Sequence, residues 1–192
     1  YPNYTRTPRR HDFSLDPTGD TMMDALARKG LATIGVGKIS DIFAGRSISR
    51  TLGINKNNED GMEKTLKLMD EDFTGLAFVN LVDFDMQYGH RRNIDGYAKA
   101  ATVFDRQLGE FMAKMKDDDI LMITADHGCD PGAPGTDHTR EYVPLLMYGK
   151  HVKAGLNLGT YPTFAMIGAT ISDMFGADLY TKGESLLPRI IG

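Results

Sequence analysis

Aspartates and histidines follow two apolar runs of the sequence, at positions where their side chains could bind a metal ion. Three of the five histidines stand in these segments, each close to an aspartate. Carboxylate and imidazole ligands together suit Mn²⁺, Zn²⁺ or Mg²⁺, although imidazole is less natural for Mg²⁺ alone, and a set without thiolates argues against a structural zinc site. The candidate residues are Asp83, Asp85 and His90 in VDFDMQYGHRRN, Asp126 and His127 in TADHG, and Asp137 and His138 in GTDHTRE.

A single Asp-His pair at a strand end is more often a loop hydrogen bond than a metal site. Three such pairs in one chain are harder to explain in that way, and they favour a divalent metal centre. Asp83 and Asp85 would point to the same face if the strand before them continued, so spacing alone does not choose between these two aspartates.

Helical and strand patterns alternate along the chain, which predicts the elements that position these residues. Strands that are apolar throughout and alternate with amphipathic helices predict an α/β fold, a largely parallel sheet covered by helices on both faces. Ligands of such sheets gather at the carboxyl ends of the strands. The predicted helices cover 20–30, 61–72, 93–118, 161–176 and 184–190, and the predicted strands cover 31–37, 75–85, 120–126 and 142–149, with Pro144 marking an edge or strand end.

Composition narrows the class of protein. The formal net charge of -4 argues against a general nucleic-acid binder, and no apolar run approaches the roughly 18 residues of a membrane span. Cys129 is the only cysteine, so no internal disulfide can form and a cytoplasmic location is expected. The proline-rich residues 1–19 are predicted to be a linker with a basic cluster that includes Arg9, Arg10 and His11.

The segments TADHGCDPGAPGTDHTREYVPLLMYG and VDFDMQYGHRRN closely resemble the phosphopentomutase family, within the alkaline-phosphatase superfamily. The resemblance implies an alkaline-phosphatase-like core and a site for two divalent metal ions, usually Mn²⁺. Asp126 and His127 would bind one ion, and Asp85, His90 and His138 the other, with Asp83 and Asp137 in supporting or structural roles.

The resemblance also implies a reaction and its partners. Family members interconvert the 1-phosphate and 5-phosphate of ribose or deoxyribose through a phosphothreonine enzyme and a sugar bisphosphate. Holding the phosphate that is not transferred needs basic groups, for which Arg9, Arg10 and His11 are candidates and Lys38 a weaker one. A solvated basic linker is the alternative for the first three.

The family resemblance covers only the C-terminal half of a phosphopentomutase. Residues 1–19 would end the cap-domain region, and residues 20–192 would form the C-terminal part of the core domain. The family's nucleophilic threonine, one further metal-binding aspartate and most of the cap have no counterpart here, so we expect the chain to be an incomplete core that is inactive alone and pairs with a missing N-terminal half.

Two other interpretations stay open from the sequence. One is another enzyme of the same superfamily, such as a phosphoglycerate mutase, a phosphatase or a sulfatase. The other is a metal-binding domain without catalytic activity. The continuous run from Asp126 to Pro144 and the segment GHRRN fit phosphopentomutase better than the other enzymes.

Overall fold

The structure, a computed structural model, describes residues 14–192 and contains two small sheets with helices packed around them. The parallel sheet has the order β2-β1-β3 and the antiparallel sheet pairs β4 with β5. The strands are β1 (Ala32–Val36), β2 (Arg50–Thr51), β3 (Gly75–Val79), β4 (Leu121–Thr124) and β5 (Leu145–Tyr148). The predicted parallel α/β architecture is confirmed, although its last strand pair is antiparallel.

Six α-helices and one π-helical turn connect the strands in the described part of the chain. They are α1 (Met22–Arg28), α2 (Ile39–Ile42), α3 (Asn58–Leu68), α4 (Ile94–Lys114), α5 (Ala165–Met174) and α6 (Leu187–Ile190), with the π-turn at Phe84–Gly89. The long amphipathic helix predicted after the second strand is α4. The short elements β2 and α2 lie in a stretch for which the sequence pattern predicted no element.

Two apolar clusters share Ile167 and fasten α1, α5 and α6 to the strands. In the first cluster Leu26 of α1 is fully buried. Leu76 of β3 and Met122 of β4 pack against this cluster. In the second, Leu186 and Ile190 pack against Leu145 and Met147 of β5. Burying side chains of this size stabilises the fold by about 1.5–3 kcal/mol each.

The strand predicted over 75–85 ends at Val79, because the chain turns into the π-helical turn Phe84–Gly89. Phe84 begins this turn and packs against Tyr97 and Phe104 of α4, with ring centroids 5.2 and 6.4 Å away. The expectation that Asp83 and Asp85 share a strand face is therefore wrong. Asp83 instead accepts from the backbone N–H of Asn58 at 2.7 Å, and its own N–H donates to the Asn58 side chain at 2.9 Å.

Asp24 is a buried carboxylate at the start of α1, with only 6% of its surface exposed. Burial alone would raise its pKa, but hydrogen bonds from Ser47, Thr21 and Arg46 outweigh this effect and lower the pKa from 3.8 to about 2. The Ser47 hydroxyl donates to it at 2.6 Å and the Arg46 Nε at 3.0 Å. The charged form of Asp24 therefore ties the loop after α2 to α1.

We predict that Asp24→Asn lowers the free energy of unfolding at pH 7 by about 2 kcal/mol, the value of the pKa shift. Because the folded-state pKa is depressed, this contribution is present above about pH 4 and is lost as the pH falls toward 2. Urea unfolding at pH 7 and pH 3 measures both effects. Asp16→Asn at an exposed position is the matched control, and equal losses in the two variants would contradict the prediction.

Candidate metal centre

The carboxyl ends of β3 and β4 lead directly into the candidate metal centre. Asp85 comes from the π-helical turn after β3, and His127 follows β4. Ligand atoms of Asp85, His127 and His138 all lie within 4.8 Å of one another, a grouping that could hold a metal ion. His138 reaches this point from the end of the loop that connects β4 to β5.

Asp85 is the residue around which the other ligand candidates gather. Its Oδ1 lies 3.2 Å from Nε2 of His90 and 3.2 Å from Nε2 of His138. The ring of His138 also stacks on the ring of His127, with centroids 3.7 Å apart. Three imidazoles thus surround one partly buried carboxylate.

Backbone carbonyls fix which ring nitrogen of two histidines faces the cluster. Nδ1 of His127 lies 2.9 Å from the carbonyl oxygen of Gly128, and Nδ1 of His90 contacts the carbonyl oxygen of Thr136. A carbonyl only accepts hydrogen bonds, so Nδ1 carries the proton in each neutral ring and Nε2 keeps its lone pair. Carbonyl partners of this kind are typical of histidines that bind metals through Nε2.

This arrangement presents more acceptors than donors at its centre. In the neutral tautomer that donates from Nδ1, His90 turns its Nε2 lone pair toward Oδ1 of Asp85 at 3.2 Å. A cation among these groups would balance the carboxylate charge and accept the Nε2 lone pairs. The chemistry of the donor set, one carboxylate with several imidazoles, therefore fits a divalent ion such as Mn²⁺ or Zn²⁺.

The structure brings the predicted ligands to one place but groups them differently from the expected pairing. His127 clusters with Asp85 and His138, whereas Asp126 is largely exposed and its Oδ1 lies 3.7 Å from Nε2 of His127. The division of these five residues between two ions stays a prediction. Asp137 is exposed beside His138.

The predicted phosphate-binding residues are only partly described. Lys38 is half-buried where β1 passes into α2, at the carboxyl edge of the parallel sheet. Arg9, Arg10 and His11 lie outside the described residues. The roles of all four stay predictions. The hydroxyls of Ser47 and Thr51 have local partners, since Ser47 donates to Asp24 and Thr51 accepts from the N–H of Gly53.

Cys129 is a neighbour of the centre that the sequence patterns did not identify. Its Sγ lies 3.6 Å from Oδ1 of Asp85. Burial, together with the nearby Asp85 carboxylate, raises the pKa of the Cys129 thiol to about 11, so the thiol is neutral at pH 7. Its position two residues after His127 in TADHGCD was the one sequence feature that could have indicated this proximity.

Gly89, the last residue of the π-helical turn, packs directly against Cys129. A Cβ added at Gly89 would lie 2.0 Å from Sγ of Cys129, closer than any tolerated contact. We predict that Gly89→Ala lowers the free energy of unfolding by about 1–3 kcal/mol through overpacking. The double variant Gly89→Ala with Cys129→Ala should recover most of this loss in urea unfolding, and a purely additive loss would count against the contact.

Within residues 14–192, no helix is long and apolar enough to cross a membrane.

The family model described as the Metalloenzyme superfamily matches residues 25–179. Three relatives are phosphopentomutases from Lachnoclostridium phytofermentans, Carboxydothermus hydrogenoformans and Acetivibrio thermocellus. They are 54%, 56% and 51% identical over 97%, 92% and 98% of this chain, which covers 48%, 45% and 48% of their lengths. The chain thus spans about half the length of these relatives.

Proposed function

This chain belongs to the Metalloenzyme superfamily, and from that premise we propose that the whole protein is a phosphopentomutase. It would interconvert the 1-phosphate and 5-phosphate of ribose or deoxyribose by phosphoryl transfer, with a sugar bisphosphate intermediate. The observation that carries this proposal is the acceptor-rich cluster around Asp85, read together with relatives of that name at 51–56% identity. That identity favours phosphopentomutase over the phosphatase and phosphoglycerate mutase alternatives.

We further propose that the cluster binds two divalent ions, Mn²⁺ first among them. A pair of bound ions would supply charge that stabilises the entering and leaving oxygens of the transferred phosphoryl group. The residues of this chain hold and orient the site. Asp85, His90 and His138 would hold one ion and Asp126 and His127 the other, while Gly128 and Thr136 fix the imidazole orientation through their carbonyl oxygens.

Basic residues would then hold the phosphate that is not transferred. Arg9, Arg10 and His11 are proposed for this role together with Lys38, which lies at the sheet edge that also carries the metal cluster. The cytoplasmic location expected from the single cysteine stays a prediction.

We propose that the partner of this chain is an N-terminal half, corresponding to the part of the relatives' length that this chain does not match, and that it binds between two strand edges. Among the described strands, β3 is at one edge of its sheet and β4 is paired only with β5. Yet Leu76 of β3 and Met122 of β4 pack against the same cluster, and the residues after both strands meet at Asp85 and His127. The two strands therefore lead to the same cluster and the same site without being paired to each other.

The partial exposure of β3 and β4 supports a place for a further strand between them. We call this place the strand slot. All five residues of β3 and three of the four residues of β4 are only half-buried, although both strands are mostly apolar. In β1 the last four residues are fully buried. An apolar strand at the centre of an α/β sheet is normally buried on both faces, whereas within residues 14–192 β3 and β4 each have one side without a paired strand. We propose that a strand of the missing half fills the slot.

Assaying isomerisation of ribose 5-phosphate with Mn²⁺ tests the proposed function. We expect this chain alone to show no turnover, and co-expression with the unmatched N-terminal portion of the Lachnoclostridium phytofermentans relative to restore turnover that EDTA abolishes. Ordinary turnover by the chain alone would refute the need for a partner. A purified complex that binds Mn²⁺ but leaves ribose 5-phosphate unchanged would refute the proposed reaction.

A further inference from the structure

The loop between His127 and His138 is closed by three residues, Gly128, Thr139 and Glu141, which we call the loop latch. Gly128 and Thr139 form an antiparallel bridge in which the N–H of Thr139 donates to the carbonyl oxygen of Gly128 at 3.1 Å. Each bridged residue directly follows one of the two histidines. Closing the bridge therefore sets the positions from which both imidazole rings reach the cluster.

The carbonyl oxygen of Gly128 performs two tasks at once. It accepts from the Thr139 N–H, which closes the loop, and from Nδ1 of His127 at 2.9 Å, which leaves Nε2 of that ring facing the cluster. The ring of His127 then lies 3.7 Å from the ring of His138, tilted by only 22°. A shift of this bridge would change the tautomer preference and the ring position of His127 together.

The Thr139 hydroxyl stabilises the bridge through two further hydrogen bonds. Its oxygen accepts from the N–H of Asp130 at 2.8 Å, and its proton is donated to Oε2 of Glu141. Because a hydroxyl has one proton, the carboxylate of Glu141 fixes its direction and leaves its lone pairs for Asp130. Glu141 is exposed, so its carboxylate is not required to fill the core.

Gly128 must be a glycine for this arrangement to close. A Cβ at this position would lie 2.5 Å from Oε2 of Glu141 and 2.7 Å from the carbonyl oxygen of Thr139. The latch is thus packed tightly against the backbone that joins the two histidines. None of its three members contributes a ligand atom to the cluster.

We propose that Thr139 and Glu141 are positioning residues of the metal site, which hold Nε2 of His127 and the stacked ring of His138 ready for metal before it binds. This inference rests on the proposed metal-binding function. It gives the Thr139 hydroxyl and the Glu141 carboxylate a role in metal affinity, which a loop that served only stability would not have.

The test compares Thr139→Val, which loses the hydroxyl, with Thr139→Ser, which keeps it. Thr102→Val is the matched control, since the Thr102 hydroxyl is also hydrogen-bonded to the backbone, where it donates to the carbonyl oxygen of Ala98 at 3.0 Å on the exposed side of α4. Titration of the purified chain with Mn²⁺ should show affinity about 10–100-fold weaker in Thr139→Val, the usual effect of losing an orienting partner. Affinity should stay within about threefold of wild type in Thr139→Ser and in the control.

Nitrogen NMR of the imidazoles at pH 7.5 in EDTA provides a readout that needs no metal. We expect His127 to be protonated at Nδ1 in the wild-type chain and to become a mixture of tautomers in Thr139→Val. If the wild-type chain binds no Mn²⁺ but the tautomer still changes, the latch stands as a positioning device and the proposed metal function fails for the chain. Unchanged affinity and tautomer in a folded Thr139→Val would overturn the latch.

Glu141→Met provides a second variant should Thr139→Val fail to fold, because Glu141 is exposed and its replacement leaves the loop backbone intact. We expect the same tautomer change and a similar loss of affinity. Glu141→Gln keeps an acceptor oxygen for Thr139 and should preserve both. If the Met variant keeps the wild-type affinity and tautomer as the Gln variant does, the acceptor at position 141 has no positioning role.

Discussion

Asp85→Asn is expected to weaken Mn²⁺ binding by the chain at least about a hundredfold, because it removes the charge on which the site is centred. Oδ1 of Asp85 lies within 3.2 Å of Nε2 in both His90 and His138. An amide in its place has no net charge and offers one acceptor instead of two. Isothermal titration of the purified, EDTA-treated chain measures the loss directly.

The same substitution should leave stability intact when metal is absent. At an alkaline pH, where the imidazoles are neutral, the carboxylate of Asp85 faces the Nε2 lone pair of His90 in the tautomer that donates from Nδ1, so removing the carboxylate charge relieves repulsion. We therefore expect Asp85→Asn in EDTA to unfold at a urea concentration no lower than wild type. A charged residue that lowers the stability of the metal-free protein and raises that of the metal-bound protein is typical of a functional site.

Asp105→Asn is the control, because it makes the same chemical change on an exposed position of α4. Its Mn²⁺ affinity should equal that of wild type. If Asp85→Asn binds Mn²⁺ as tightly as the control, the cluster is not the metal centre. If both variants lose affinity equally, the chain binds Mn²⁺ only through its general negative charge.

The helices and strands that carry the site were predictable because their patterns are strong over many residues. The 21-residue helix α4 repeats apolar residues at helical spacing, and β1, β3 and β4 are short, mostly apolar runs. All five predicted metal ligands follow such runs or lie in the loop before β5. Four of them converge in space on or beside Asp85, and Asp126 stands at the exposed margin.

What the sequence could not provide depends on contacts between distant segments. The π-helical turn that separates Asp83 from Asp85 is stabilised by Phe84 packing on α4, and the pairing of Asp83 with Asn58 links residues 25 positions apart. Alternation along a strand contains neither piece of information. The Thr139 hydroxyl and Cys129 were missed for the same reason, since their importance arises only once the loop has closed.

Ala77→Pro is expected to prevent the chain from pairing with the proposed partner half while leaving the chain itself folded. The N–H of Ala32 donates to the carbonyl of Thr74, and the N–H of Asn80 donates to the carbonyl of Val36. Because the backbone groups of a parallel strand alternate between its two sides, the even-numbered residues of β3 face β1. Gly75, Ala77 and Val79 therefore turn their N–H and carbonyl groups toward the strand slot.

A proline at position 77 removes a backbone donor that the fold of this chain does not use. Edge strands tolerate proline at such positions. It would also push its ring into the slot and leave a carbonyl of the entering strand without a donor, which costs about 1–3 kcal/mol. That corresponds to an association constant lowered about 5–150-fold. Isomerase activity after co-expression with the relative's N-terminal portion should fall to the same extent at limiting concentrations.

Leu76→Pro is the opposing control, because residue 76 bonds β1 and its side chain packs in the core cluster. It should unfold the chain itself, whereas Ala77→Pro should change the free energy of unfolding of the isolated chain by less than about 1 kcal/mol. Urea unfolding separates the two cases. Full complementation by Ala77→Pro would mean that the proposed partner half does not bind at the strand slot.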